Sequence, residues 1–236
     1  MIICTKCGLS FQQQKQICFC GSFSFAHIPD CIEIKKNVTS AKEILCSGGD
    51  EIAGFEFLGE LPPIWLAMIH GKPGSGKSTF SFSLMDAIAK TKSERMVLYW
   101  SSEEGTKETV AKRIKLLGIE SENLFFSSAK DKDKNSFISE IKNFRPFAIA
   151  IDSVQTAFLK VEDLLEIFDI ANCITCFICQ ETKDGKYKGD SSYGHITDIN
   201  ILLEDGIART EKNRFSGPSE MQVFEFKGDK ENVEHA

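Results

Sequence analysis

The sequence predicts an α/β domain, a mostly parallel sheet covered by helices on both faces, with a small cysteine-rich segment ahead of it. Three observations carry this. The runs "IWLAMIH" (64–70), "MVLYW" (96–100) and "FAIAID" (147–152) are apolar without alternation, as strands buried on both faces must be. Stretches with helical spacing separate them, which is the pattern of strand–helix–strand crossovers. The glycine-rich run "GKPGSGKST" (71–79) follows the first strand and opens a helix.

The elements follow in order. After strand 64–70 and its glycine-rich turn, a helix starts at Lys77. Strand 96–100 leads to the helix "TKETVAKRIKLLG", whose Val110, Ile114 and Leu117 share a face and whose Gly118 is the stop. "NLFFSS" reads as a short strand. "NSFISEIKNFRP" reads as a helix with Phe137, Ile141 and Phe144 inward and Pro146 at its end. Strand 147–152, a helix over 161–172, a strand over 174–179 and strands near 197–203 and 220–226 complete the sheet. The expected division is a zinc finger over 1–27, a linker over 28–50 and the α/β domain over 51–236.

The chain has 236 residues, 42% hydrophobic and 26% charged, enough for one such domain and an appendage. The net charge of −6 excludes an overall electrostatic grip on nucleic acid, so any polyanion must meet local patches. No apolar run is long enough to span a membrane, and "MIICTKCGLS" lacks the features of a signal peptide. The expectation is a cytoplasmic protein without membrane contact.

"GKPGSGKST" matches G-x-x-x-x-G-K-[ST] in its required strand–turn–helix context. Gly71, Gly74, Ser75 and Gly76 would turn backbone N–H groups toward the phosphates of a nucleotide. The helix N-terminus adds its positive dipole end. Lys77 would reach the β- and γ-phosphates, with Ser78, followed by Thr79, holding Mg²⁺. Asp152, at the C-terminal end of strand 147–152, would supply the second Mg²⁺ group, since ligands of open α/β sheets bind at that edge. "YWSSEEG" puts Glu103 and Glu104 just past a strand end. One would orient water and the other cap the next helix; Glu103 is taken as the catalytic one.

Nine cysteines in a reducing compartment are ligands or packing rather than disulfides. Cys4, Cys7, Cys18 and Cys20 lie in two Cys-Gly knuckles, in a segment too poor in aliphatics to fold alone. They read as a structural Zn²⁺ site, with His27 or Cys31 able to replace one ligand. "CITCFIC" has similar spacing, but on a strand Cys173 and Cys179 face one side and Cys176 the other. They are expected to be buried thiols.

Taken together, the cysteine segment, "GKPGSGKST", "VLYWSSEE", "AIAIDSVQT", "CQETKDGKYKG", "GHITDINILLE" and "KNRFSGPSEMQVFEF" resemble the RadA (Sms) family of bacterial recombination ATPases, in the RecA/DnaB superfamily. The resemblance runs from residue 4 to about 226. It implies a RecA-like core, a hexameric ring, and ATP-driven movement on single-stranded DNA in branch migration of recombination intermediates. A RecA-type recombinase or a replisome protein would be a partner. It also implies roles for residues. Gln180 would be the polar sensor linking the γ-phosphate to a DNA-binding loop at 183–194, where Lys183, Lys186, Tyr187 and Lys188 would meet DNA. Lys212 and Arg214, in "KNRF", would reach the γ-phosphate of a neighbouring subunit. Two positions depart from the family pattern: Ser216 follows Phe215 where glycine is usual, and Ser102 precedes the glutamates where glycine is usual. The resemblance further implies that the chain stops before a Lon-protease-like C-terminal domain. Two other readings remain open: an ATP-binding switch acting on a protein partner without DNA motor activity, and a DnaB-like helicase or loader, against which the cysteine segment and "KNRF" argue.

Overall fold

The computed structural model describes residues 2–4, 10–11, 25–27, 49–102, 107–128, 133–182 and 192–223. The chain divides into two compact units, Met1–Ser47 and Gly48–Ala236. In the first, three short antiparallel strands, β1 (Ile2–Cys4), β2 (Ser10–Phe11) and β3 (Phe25–His27), pair in the order β2-β1-β3.

The second unit is an α/β sandwich. Its strands are β4 (Leu66–Gly71), β5 (Val97–Ser101), β6 (Leu124–Ser128), β7 (Ala148–Asp152), β8 (Ile174–Gln180), β9 (Ile199–Glu204), β10 (Ile207–Asn213) and β11 (Glu220–Gln222). They form one sheet in the order β11-β10-β9-β4-β8-β7-β5-β6. Strands β9 to β6 of that order run parallel, and β10 and β11 add an antiparallel margin. Every residue of β4, β5 and β7 is buried, because helices cover both faces.

The helices are α1 (Lys77–Thr91), α2 (Lys107–Leu117), α3 (Lys134–Phe144), α4 (Val161–Ala171) and the single turn α5 (Tyr193–Ile196). On one face, Phe80, Phe82, Leu84, Met85 and Ile88 of α1 pack on the sheet, and Val110, Ile114 and Leu117 of α2 close against them. On the other, Phe137, Ile138 and Ile141 of α3 meet Leu164 and Ile167 of α4. Phe144 is only partly buried there. The α3 start is capped by the Asp133 carboxylate, which accepts from Ser136 N–H at 2.8 Å. Its end is turned by Arg145 in the left-handed region at φ 48°, one residue before the proline.

The expected strands near 197–203 and 220–226 are joined by one that hydrophobic periodicity does not predict, β10. Its signal is the turn before it. Asp205 and Gly206 both take positive φ, 49° and 79°, as a two-residue hairpin requires, and Glu204 pairs with Ile207 across it. Strands β4 and β5 each begin one or two residues later than expected: Ile64 and Met96 are exposed, outside the sheet. Among the described residues, no helix is long and apolar enough to cross a membrane.

Candidate nucleotide site

The phosphate loop leaves β4 at Gly71 and enters α1 at Lys77. Gly76 is the N-cap of α1 with φ 92°, a left-handed conformation that side chains other than glycine rarely take. Gly71 is required for space: a Cβ there would lie 2.4 Å from Leu203 O and 2.8 Å from Ser75 Oγ. The Ser75 Oγ is itself buried, with no hydrogen-bond partner among the described residues. Lys77, 7% exposed, folds back and donates to Lys72 O at 2.7 Å. This is an anion-binding cradle of backbone donors with one cation inside it.

The cradle opens into a cleft of about 350 Å³ lined by Gly74, Gly76, Lys77, Ser78, Thr79, Arg113, Asp152 and Gln180. The sheet register brings these together. Gly71 pairs with Gln180 and Ser101 with Asp152, so the loop and both strand-end residues share the C-terminal edge. Asp152 is 1% exposed, and its Oδ2 accepts from Tyr99 O–H at 2.8 Å. Burial, and then the Asp152 charge, push the Tyr99 hydroxyl well above its usual pKa, so it stays a donor. Gln180 N–H donates to Gln155 Oε1 at 3.0 Å, which ties the end of β8 to the segment after Asp152. The residues fit a nucleotide triphosphate with Mg²⁺: a glycine cradle, a lysine, a hydroxyl at Ser78 and a carboxylate at Asp152 in one cleft.

Arg113 is a cleft residue that sequence reasoning missed. Its guanidinium sits 5.1 Å from the Phe82 ring centroid and reaches the cleft wall from α2. On the sequence it is one cation among several on an amphipathic helix, with no signal to single it out.

Lys212 and Arg214 lie elsewhere. β10 runs antiparallel to β9, with Asn213 opposite Ile199, and Ile199 pairs with Ala67 near the start of β4. Lys212 therefore stands level with Met68 and Arg214 beside Asp198, next to the start of β4, about 10 and 16 Å from Gly71 along β4. Lys212 Nζ donates to the carbonyls of Gly194 at 3.1 Å, His195 at 3.3 Å and Thr197. Partial burial, and then Arg214, lower its pKa. Arg214 Nη1 pairs with Asp198 Oδ1 at 3.0 Å, and Asp198 Oδ2 accepts from Leu66 N–H at 3.0 Å.

The cysteines of β8 divide by strand parity. Cys176 packs in the α1 face, Cys173 and Cys179 in the α3–α4 face. Burial raises all three thiols, Cys173 to about 12 and Cys179 to about 11. Glu103, Glu104, Lys183, Lys186, Tyr187, Lys188, Cys7, Cys18, Cys20 and Cys31 lie outside the described residues, and Cys4 and His27 are described only as strand backbone.

Comparison with known proteins supports the same fold. A family profile described as an AAA domain matches residues 58–167. The DNA repair protein RadA of Aquifex aeolicus (strain VF5) is 31% identical over 201 residues, 74% of this chain and 44% of that protein. RadA of Halalkalibacterium halodurans is 29% identical over 194 residues, 72% and 40% of the two chains. RadA of Bacillus subtilis (strain 168) is 28% identical over 183 residues, 69% and 39%. The chain thus spans less than half the length of these relatives. These matches, with the phosphate loop, the parallel sheet and the placement of Asp152 and Gln180, support a RadA-like RecA/P-loop family protein.

Proposed function

We propose that this chain binds ATP with Mg²⁺ and hydrolyses it in response to single-stranded DNA, in recombination and repair. The observation that carries the reading is the meeting of Lys77, Ser78, Asp152 and Gln180 in one cleft at the C-terminal sheet edge. The DNA part rests on the names of the RadA relatives and on the lysines and tyrosine of 183–188.

In this reading the loop N–H groups and Lys77 hold the β- and γ-phosphates and neutralise charge that builds as the γ-phosphoryl leaves. Ser78 and Asp152 hold Mg²⁺, which supplies Lewis-acid charge on the phosphate oxygens. Tyr99 donates to Asp152 Oδ2 and fixes its rotamer. Glu103 orients the attacking water. Gln180 faces the γ-phosphate and stands at the base of the segment carrying Lys183, Lys186, Tyr187 and Lys188, which would track and stack on DNA.

Arg214 would act on a neighbour's nucleotide in a ring of subunits, with Lys212 behind it. Their partners support this: Arg214 is paired with Asp198 by the start of β4, and Lys212 Nζ is held by the carbonyls around α5, so neither is directed at its own phosphate loop. Cys4, Cys7, Cys18 and Cys20 would hold a structural Zn²⁺ in the N-terminal unit, a contact surface for a recombinase or replisome protein. A cytoplasmic location and branch migration of recombination intermediates belong to the same proposal.

The test is steady-state ATP hydrolysis with and without single-stranded DNA, on wild type, Lys77→Ala and Arg214→Ala, with sizing by light scattering. Stimulation by DNA, its loss in both variants and a ring-sized particle support the proposal. A DNA-indifferent monomer whose rate ignores Arg214 overturns the motor reading and favours a switch that acts on a protein partner.

A further inference from the structure

His70, the last residue before Gly71, is buried between two carboxylates. Its Nδ1 lies 2.6 Å from Glu181 Oε1 and its Nε2 lies 3.1 Å from Glu211 Oε2. His70 is 2% exposed and Glu181 8%. Two buried charged or polar side chains in contact are costly unless each is held by the other, so the His70–Glu181 pair is a specific arrangement rather than filler; Glu211, 44% exposed, reaches it from the surface.

Its placement gives it a use. Glu181 directly follows Gln180, and its N–H donates to Gly71 O at 3.1 Å. It therefore joins the phosphate-loop root to the point where the chain enters 183–191. Glu211 is the extra residue of a β-bulge: Thr210 pairs with Ile201 and Lys212 with Asn200, leaving Glu211 between them. The bulge turns Glu211 toward His70. The next residue, Lys212, bonds the carbonyls of Gly194, His195 and Thr197, around α5, where the chain leaves 183–191. Both ends of segment 183–191 are thus tied to adjacent residues of one strand. That same strand leads into Arg214.

We propose that Glu211 and Lys212 form a coupling joint. Glu211 acts through His70 and Glu181 on the entry to segment 183–191 and the root of the phosphate loop. Lys212 acts through α5 on the exit. They are positioning residues: a ligand that moves 183–191 displaces the end of β8, and with it Gly71 and Gln180. The inference rests on the reading of 183–191 as the DNA segment and of the cleft as an ATP site, and it assigns the link between them.

The test uses the full chain, with Glu211→Gln, His70→Asn, the double variant and Lys212→Met. Hydrogen–deuterium exchange is followed in peptides spanning 181–196, without ligand and with a non-hydrolysable ATP analogue. In parallel, kcat and KM for ATP are measured with and without oligothymidylate. Glu211→Gln is expected to speed exchange at 181–182 by about threefold or more while the rest of the sheet keeps its protection. It should leave KM and the unstimulated kcat within about twofold but cut DNA stimulation about fivefold or more. The double variant should show no more than the larger single effect, since one joint is broken twice. Lys212→Met should speed exchange at 193–197 instead. Unchanged exchange at 181–182 in Glu211→Gln, or additive effects with His70→Asn, overturn the joint. If the wild type hydrolyses no ATP, the proposed function fails, while the ligand-free exchange arm still decides whether the joint exists.

Discussion

Tyr99 and Asp152, on adjacent parallel strands, share a buried hydrogen bond of 2.8 Å at the edge where the phosphate loop opens. The phenol gives the carboxylate's Oδ2 a fixed donor. Tyr99→Phe removes that donor and leaves a buried carboxylate one bond short, which costs about 1–3 kcal/mol. Urea unfolding should show a loss in that range, and the Mg²⁺ needed for half-maximal nucleotide binding should rise. A variant as stable as wild type, with unchanged Mg²⁺ dependence, would show that Asp152 does not rely on Tyr99.

Arg113 should matter to nucleotide and not to fold. It stands in the cleft wall with its guanidinium over Phe82. Arg113→Met keeps the apolar stem against Phe82 and removes the charge. Affinity for a fluorescent ATP analogue should fall by about tenfold, the loss of one charge-assisted contact, while the melting temperature holds. Equal affinity in the variant would place the guanidinium outside the phosphate field.

Lys134 joins α3 to α4. Its Nζ lies 2.8 Å from Asp163 Oδ1 and 2.9 Å from Glu166 Oε2. The hydrogen bond from Lys134, and then the Lys160 N–H, hold the Asp163 carboxyl below the usual range. A carboxyl whose folded pKa is depressed contributes stability above its unfolded pKa, near 4, and loses it as pH falls through the folded value. Lys134→Met should therefore be less stable than wild type at pH 6, and the gap should close as pH falls below about 4. Denaturant midpoints across that range measure it; a gap that stays constant with pH would point to lost packing instead.

The cysteines should separate into two chemical classes. Cys173, Cys176 and Cys179 are buried with raised pKa values, so a thiol reagent should not reach them in the native state at pH 8. If Cys4, Cys7, Cys18 and Cys20 hold Zn²⁺, metal analysis should find one equivalent. A chelator should then expose those thiols without unfolding the α/β unit. Native reactivity at Cys176 would mean that the β8 core opens.

Much of the fold is readable from short stretches. Continuous apolar runs give β4, β5 and β7, and Gly118 closes α2 where the pattern stops. The parity of Cys173, Cys176 and Cys179 along β8 needs only the two-residue period of a strand. β10 is legible only through its Asp205–Gly206 turn. Its residues alternate weakly, because it lies near the sheet margin and carries Glu211, Lys212 and Asn213 for polar contacts rather than for a core.

The sequence by itself determined the nucleotide cradle, since steric demands at Gly71 and Gly76 and the reach of Lys77 act within a few residues. Only the tertiary structure decided which distant groups share that site and which do not. His70 and Glu181 meet across 111 residues because β4 and β8 pair in a particular register. Arg113 turns toward the cleft because α2 packs on Phe82 of α1. Lys212 and Arg214 point away from the phosphate loop, toward α5 and Asp198, because β10 runs antiparallel to its neighbour. Local sterics act through covalent neighbours; register and strand direction are set by the burial of the whole sheet, and no short window of sequence contains them.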